Sequence, residues 1–165
     1  MRNTMNKLEY YTRCIVQKYN PKKYWKFRQR VIEKNKYPIL LKYIWLFYIK
    51  KCDAFNNASL GTHINYGAHF QSIPHFPHGL YGIVISHNAK IGRNACIFHQ
   101  VTIGEGKGGA PAIGNNCLIG AGAKLIGGIH IGNNVRIGAN CIVTTDIPDN
   151  TTVVMGKPRL IIREP

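Results

Sequence analysis

The sequence predicts a mainly β protein, a parallel β-helix of hexapeptide repeats preceded by a short α-helical part. Three observations predict it. An aliphatic residue recurs every six positions at Ile85, Ile91, Ile97 and Ile103, and after a four-residue insertion at Ile113, Ile119, Leu125, Ile131, Ile137 and Val143. Gly follows six of these ten markers, and the fourth residue after a marker is small: Ala89, Ala95, Val101, Cys117, Ala123, Val135 or Cys141. Residues 1–58 lack the period and hold 14 Lys/Arg against 3 Asp/Glu, whereas residues 59–165 hold 8 against 4.

Each six-residue unit makes one flat face and one turn. The aliphatic marker points into a narrow prism, the small residue fits a crowded corner, and Gly permits backbone shapes that a side chain forbids. Three units close one coil, so residues 18 apart stack. About four coils are expected. Ile64, Phe70 and Phe76 are in step and form a first, imperfect coil, followed by an irregular stretch from Pro77 to Tyr81. After Val143 the chain leaves the solenoid through Asp146-Ile147-Pro148-Asp149.

The N-terminal part, residues 1–58, divides from the repeat domain, residues 59–165. Two helices are expected, Pro21 to Glu33 and Tyr37 to Phe55, the first opened by its Pro and the second broken by Asn56-Asn57. The apolar run Pro38 to Ile49 is 12 residues long and contains Lys42, too short to span a bilayer. The net charge of +15 calls for an anionic partner. The basic, aromatic helices either pack their rings on the rest of the protein or form a peripheral membrane contact or a patch for a polyanionic glycan carrier. No nucleic-acid motif accompanies the charge, so nucleic acid is not expected. Five cysteines without a CxxC pair read as reduced thiols in a cytoplasmic protein, and no secretory signal is visible.

Around this frame the residues resemble the serine acetyltransferase branch of the hexapeptide-repeat acyltransferases, over about Ser59 to Ile162. The resemblance is carried by His78-Gly79-Leu80-Tyr81-Gly82-Ile83-Val84-Ile85, His99-Gln100-Val101-Thr102-Ile103-Gly104, Ile119-Gly120-Ala121-Gly122-Ala123-Lys124 and Gly156-Lys157-Pro158. It implies a left-handed β-helix, a homotrimer with active sites between subunits, and acetyl-CoA lying along a groove between coils. It implies His78 as the general base that takes the proton of an acceptor hydroxyl, a task suited to an imidazole. Transfer is direct, with no covalent intermediate. An oxyanion donor is sought among backbone N–H groups of the Gly104 to Gly109 loop. Gly104, Ala121 and Ala139 are implied in CoA contacts, with Lys124 and Lys157 as phosphate partners, and His99 is a candidate for acceptor contact.

The sequence departs from that branch at three places. Pro77 stands where an Asp precedes the catalytic His. Gly108-Gly109-Ala110-Pro111 stands where an Arg-His pair holds the substrate carboxylate. His63 stands fifteen residues before His78, in place of the Asp that orients it. An amino acid needs its carboxylate and ammonium matched. Without those groups a sugar or polysaccharide hydroxyl is the expected acceptor, with L-serine the alternative small molecule.

Two readings of other classes compete. The histidines invite a γ-type zinc carbonic anhydrase. His63, His69 and His75 recur at six, which sends them to different faces, and no pair is five apart, so no metal is expected. A non-catalytic scaffold or lipid-binding module is permitted by the repeat alone, and the His78 segment speaks against it.

Overall fold

The computed structural model describes residues 7–157 and 159–161. Three helices precede the strands: α1 (Lys7–Val16), α2 (Pro21–Ile32) and α3 (Ile39–Phe55). The sequence reading anticipates α2 and α3 to within two residues and misses α1. Helix α2 starts where Asn20 accepts from the Lys23 N–H (3.0 Å) and Pro21 supplies a preset φ.

A short antiparallel hairpin, β1 (Thr62–His63) and β2 (Tyr66–Gly67), leads into the solenoid. The remaining strands are two or three residues long and form three parallel faces. The first face stacks β4 (Val84–Ile85), β7 (Thr102–Gly104), β10 (Lys124–Ile126) and β13 (Ile142–Val143). The second stacks β3 (His69–Phe70), β5 (Lys90–Ile91), β8 (Ala112–Ile113) and β11 (His130–Ile131). The third stacks β6 (Cys96–Ile97), β9 (Leu118–Ile119), β12 (Arg136–Ile137) and β14 (Thr152–Val153). Single bridges (Ser59 to Val84, His75 to Cys96, Ile131 to Ile147) add a fifth rung to each face, one more than expected.

All ten aliphatic markers are buried, and so are the seven small residues that follow them. Full burial of each large aliphatic contributes roughly 1.5–3 kcal/mol. The stack itself explains the prism, because each inward side chain meets the marker of the coil below. Residues 18 apart do stack outside the insertion, as Ile85 on Ile103 and Ile119 on Ile137. Across the insertion the step is 22, as Ile103 on Leu125 and Ile97 on Ile119.

Two expectations about the ends are corrected. Leu60, fully buried, completes the first coil beneath Ile85, while Ile64 is carried out on the β1–β2 hairpin. The chain also stays in the stack beyond Val143. Ile147 pairs with Ile131 and Val153 with Ile137 before the tail departs. Of the closing Gly-Lys-Pro segment, Pro158 lies outside the described residues, as does Ile162.

The corner between the second and third faces carries an Asn ladder that the six-residue period alone did not announce. Asn94, Asn116, Asn134 and Asn150 all adopt positive φ, between 56° and 59°. Asn tolerates that region because its short amide bonds locally. Here each Nδ2 donates to the next Oδ1, at 3.1, 3.1 and 2.9 Å. The ladder joins successive coils on an edge that carries no candidate catalytic residue.

Helix α2 caps the open end of the prism through a buried polar network. Arg28 Nε donates to Thr62 Oγ1 (3.1 Å), and Nη2 donates to the carbonyls of Ala68 (2.5 Å) and Leu60 (3.4 Å). Tyr24 donates its hydroxyl to Asp53 Oδ1 (2.7 Å). Burial pushes the Asp53 carboxyl up to about 6, against the smaller pull of the Tyr24 bond and of nearby Lys50 and Arg28. Between pH 4 and 6 the folded chain therefore keeps a proton that the unfolded chain has released. Stability falls as pH rises through that window, by about 3 kcal/mol at 1.36 kcal/mol per pKa unit. Asp53→Asn retains an acceptor for Tyr24 and is expected to abolish this slope. Urea unfolding of wild type and variant at pH 4, 5, 6 and 7 checks it. Parallel profiles for the two proteins would show that Asp53 does not titrate in this window.

Candidate active site

The corner joining the third face to the first gathers most of the expected site. It receives residues 77–82, 98–101, 120–123 and 138–141 from successive coils. Backbone bonds tie them into one column: Gln100 N–H to the Tyr81 carbonyl (2.9 Å), Gly122 N–H to that of His99 (3.0 Å), and Asn140 N–H to that of Ala121 (2.8 Å). His78 lies exposed at one end of this column, with its ring edge-on to His99 at 5.1 Å and tilted against Phe98 at 5.7 Å. His99 Nδ1 is buried and has no hydrogen-bond partner among the described residues. Leaving such a group unpaired costs about 1–3 kcal/mol, so the position suits a polar group arriving from outside the chain.

Further along the column the side chains are small. Gly120, Ala121, Gly138 and Ala139 follow one another over two coils. A Cβ on Gly120 would come within 2.7 Å of the Ala139 backbone nitrogen, so the next coil leaves no room for a side chain at Gly120. The result is an edge without bulky side chains at these positions. Lys124 donates its ammonium to the Gln100 carbonyl (2.8 Å), which anchors it beside the same column. Lys157 is exposed in the C-terminal tail.

Two expected site residues fall elsewhere. His63 sits on the hairpin, stacked on Tyr66 (4.8 Å, interplanar 5°) and edge-on to His87 (5.3 Å). Its neighbours are thus at the corner between the first and second faces, and within one chain it does not orient His78. The reason is geometric: the hairpin turns His63 toward His87, and a different edge of the prism carries His78. Desolvation, helped by Lys50 and His87, holds the His63 imidazole below its ordinary pKa, so it is neutral at pH 7. Gly104 closes β7 on the same side, leading into the inserted loop.

The inserted loop is itself well ordered. Gly106 and Gly109 exchange backbone bonds (2.9 and 3.0 Å), and Gly128 N–H donates to the Lys107 carbonyl (3.0 Å). The Gly106 and Gly109 N–H groups are thereby engaged within the loop, which narrows the search for an oxyanion donor. Sequence reasoning passed over Glu105. Its carboxylate accepts from Asn88 Nδ2 (3.1 Å) and Ser86 Oγ (3.3 Å), on the edge that carries His63 and His87. Its place directly after Ile103-Gly104, at the mouth of the insertion, was the available signal. Among the described residues no group of three or more His, Cys, Asp or Glu converges as metal ligands do.

Residues 111–145 match the bacterial transferase hexapeptide family (six repeats). A serine acetyltransferase of Helicobacter pylori J99 is 38% identical over 109 residues, covering 63% of this chain and 63% of the relative. Over that region the chain is similar to serine acetyltransferases. Its solenoid superposes on the Neisseria gonorrhoeae serine acetyltransferase in complex with serine (TM-score 0.57, 34% identity, 71% of this chain and 48% of that one). It also superposes on the Brucella abortus serine acetyltransferase in complex with coenzyme A (TM-score 0.61, 27% identity, 86% and 52%). The chain spans less than two thirds of the length of each of these relatives.

Proposed function

We propose that the chain is an acetyl-CoA-dependent O-acetyltransferase with His78 as general base and L-serine as acceptor. The observation that carries it is the single edge on which His78 and His99 stack above the Gly120–Ala121 and Gly138–Ala139 corners. A base and a groove for a thin acyl carrier share one column there. The relatives' names and the coenzyme A complex support the donor and the acceptor class. The acceptor order is thus the reverse of the one expected from sequence.

His78 takes the proton of the acceptor hydroxyl as its oxygen attacks the thioester carbonyl. The C–S bond then breaks, and the imidazolium returns the proton to the leaving thiolate. His99, whose Nδ1 has no partner within the described chain, holds the acceptor or a neighbouring subunit's group. His63, Glu105 and Gly104 lie on a different edge from His78, so a site containing them all requires a second subunit. A homotrimer in which one edge meets the other edge of the next copy supplies it.

One observation favours a second acceptor, a neutral sugar hydroxyl. Among the described residues, the rings beside His78 are Phe98 and His99 and the side chain nearest Gly79 is Gln17, none of them a carboxylate or guanidinium to match an amino acid. Free CoA release from acetyl-CoA, measured with L-serine and with a panel of hexoses and oligosaccharides, separates the two. Serine-dependent release is the expected result. Release with sugars alone would overturn the serine assignment and leave the base and donor in place.

A further inference from the structure

Helix α3 is built inside out. The residues it turns toward the protein include Lys42 and Asp53, both buried beside Ile49 and Cys52. Lys42 is held by the Glu33 carbonyl and by Asn65 Oδ1 (2.6 Å), and Asp53 by the Tyr24 hydroxyl. The opposite face carries Leu40 (71% exposed), Tyr43 (58%), Ile44 (58%) and Phe47 (73%). These occupy positions i, i+3, i+4 and i+7, one continuous stripe. Tyr43, Ile44 and Phe47, with Leu46 and Lys50, line a shallow apolar depression.

The charges around the stripe have one sign. Lys50 and Lys51 are exposed at its C-terminal end, and Lys34 and Lys36 are exposed just before the helix. The acidic residues nearby are otherwise engaged: Glu33 pairs with Lys36 (3.1 Å), and Asp53 is buried. An apolar stripe flanked by lysines is poorly matched by a second copy of the same stripe, whose lysines would face them. It complements a surface that is apolar below and anionic above. Among the described residues no helix is long and apolar enough to cross a membrane, so the helix would lie along one.

We propose that α3 docks this protein on the surface of an anionic lipid bilayer, with Leu40, Tyr43, Ile44 and Phe47 inserted at the acyl boundary and Lys50 and Lys51 among the headgroups. Tyr and Phe suit the depth where hydrocarbon meets headgroup. The lysines add attraction that falls off within a Debye length and therefore weakens with salt. The proposal does not depend on the acetyl acceptor.

Co-sedimentation of the full chain with vesicles tests it. Vesicles of phosphatidylcholine with 30% phosphatidylglycerol (about the charge density of an anionic leaflet) are compared with pure phosphatidylcholine, at 100 and 500 mM NaCl. The expected result is binding to the anionic vesicles only, at least tenfold weaker at the higher salt. The double variant Leu40→Ser/Phe47→Ser changes two exposed side chains and is expected to lose at least tenfold in vesicle affinity while its melting curve is preserved. No sedimentation with anionic vesicles overturns the proposal. So does undiminished binding by the folded double variant, which would assign the effect to net charge alone. A smaller solution mass for the double variant, by light scattering, would assign the stripe to contact between copies and equally overturn it.

Discussion

His78→Ala is expected to lower kcat for CoA release by about 10²–10⁴-fold, the usual contribution of a general base. At 1.36 kcal/mol per decade this is roughly 3–5 kcal/mol of transition-state stabilisation. The KM for acetyl-CoA should change little, because the groove proposed for the donor is built from the Gly120–Ala121 and Gly138–Ala139 corners, two and three coils away. That split separates loss of a base from loss of the fold or of the donor site. His78 sits exposed at its corner, so its removal leaves no cavity in the prism. His99→Ala is the useful companion. His99 touches His78 edge-on and presents an unpaired Nδ1, so its loss should raise the acceptor KM more than it lowers kcat. A wild-type kcat in the His78 variant would exclude His78 as the base, and His99 would then be the residue to pursue.

Arg28→Ala is expected to destabilise the fold by about 3–5 kcal/mol, the cost of breaking a buried charge network by removing one member. Burial brings the guanidinium down to about 10, with Tyr24 and Asp53 opposing the shift, so it stays charged at neutral pH. Its fork joins Thr62, Ala68 and Leu60, three groups of the first coil, and its plane lies against the rings of Trp25 (5.4 Å) and Phe70 (4.7 Å). Truncation would leave two buried carbonyls without this donor and Asp53 without its nearby positive charge. A lysine cannot restore the fork, so Arg28→Lys should recover little. For a domain whose total stability is on the order of 5–15 kcal/mol, the loss should appear as a large drop in the urea midpoint. A change below about 1 kcal/mol would mean that Arg28 acts as an ordinary surface charge and that α2 does not secure the first coil.

Two candidate site residues show how legible the site was. His78 could be picked out because it sits in a segment of several specific residues, His78-Gly79-Leu80-Tyr81-Gly82-Ile83-Val84-Ile85, and the structure puts it on the edge with His99, Ala121 and Ala139. His63 was assigned by counting fifteen residues back through a region where the period is weak. The count is right as sequence and the side chain is still on another edge, because a hairpin intervenes. Counting transfers position along the chain; it does not transfer direction in space once the six-residue step is interrupted. Glu105 illustrates the same limit from the other side. It lies in the insertion, where no period applies, and its neighbours Ser86 and Asn88 come from the preceding coil.

The sequence by itself determined the repeat, its phase and the inward residues. Each hexapeptide meets the same steric demand, an aliphatic filling a narrow prism and a small residue at a corner, so a local rule repeated ten times suffices. It also determined that α2 and α3 exist, since a proline at a helix start and an Asn-Asn break are local signals. Only the tertiary structure decided that Leu60 and not Ile64 closes the first coil, that the stack persists to Val153, and that the candidate residues divide between two edges. It alone revealed that α3 buries Lys42 and Asp53 while exposing Leu40 and Phe47. Composition names both faces of that helix, but which face turns inward depends on Tyr24, Asn65 and the Glu33 carbonyl, partners that lie far along the chain or beyond the helix itself. Burial of charge is acceptable only where such partners converge, and convergence is a property of the folded chain.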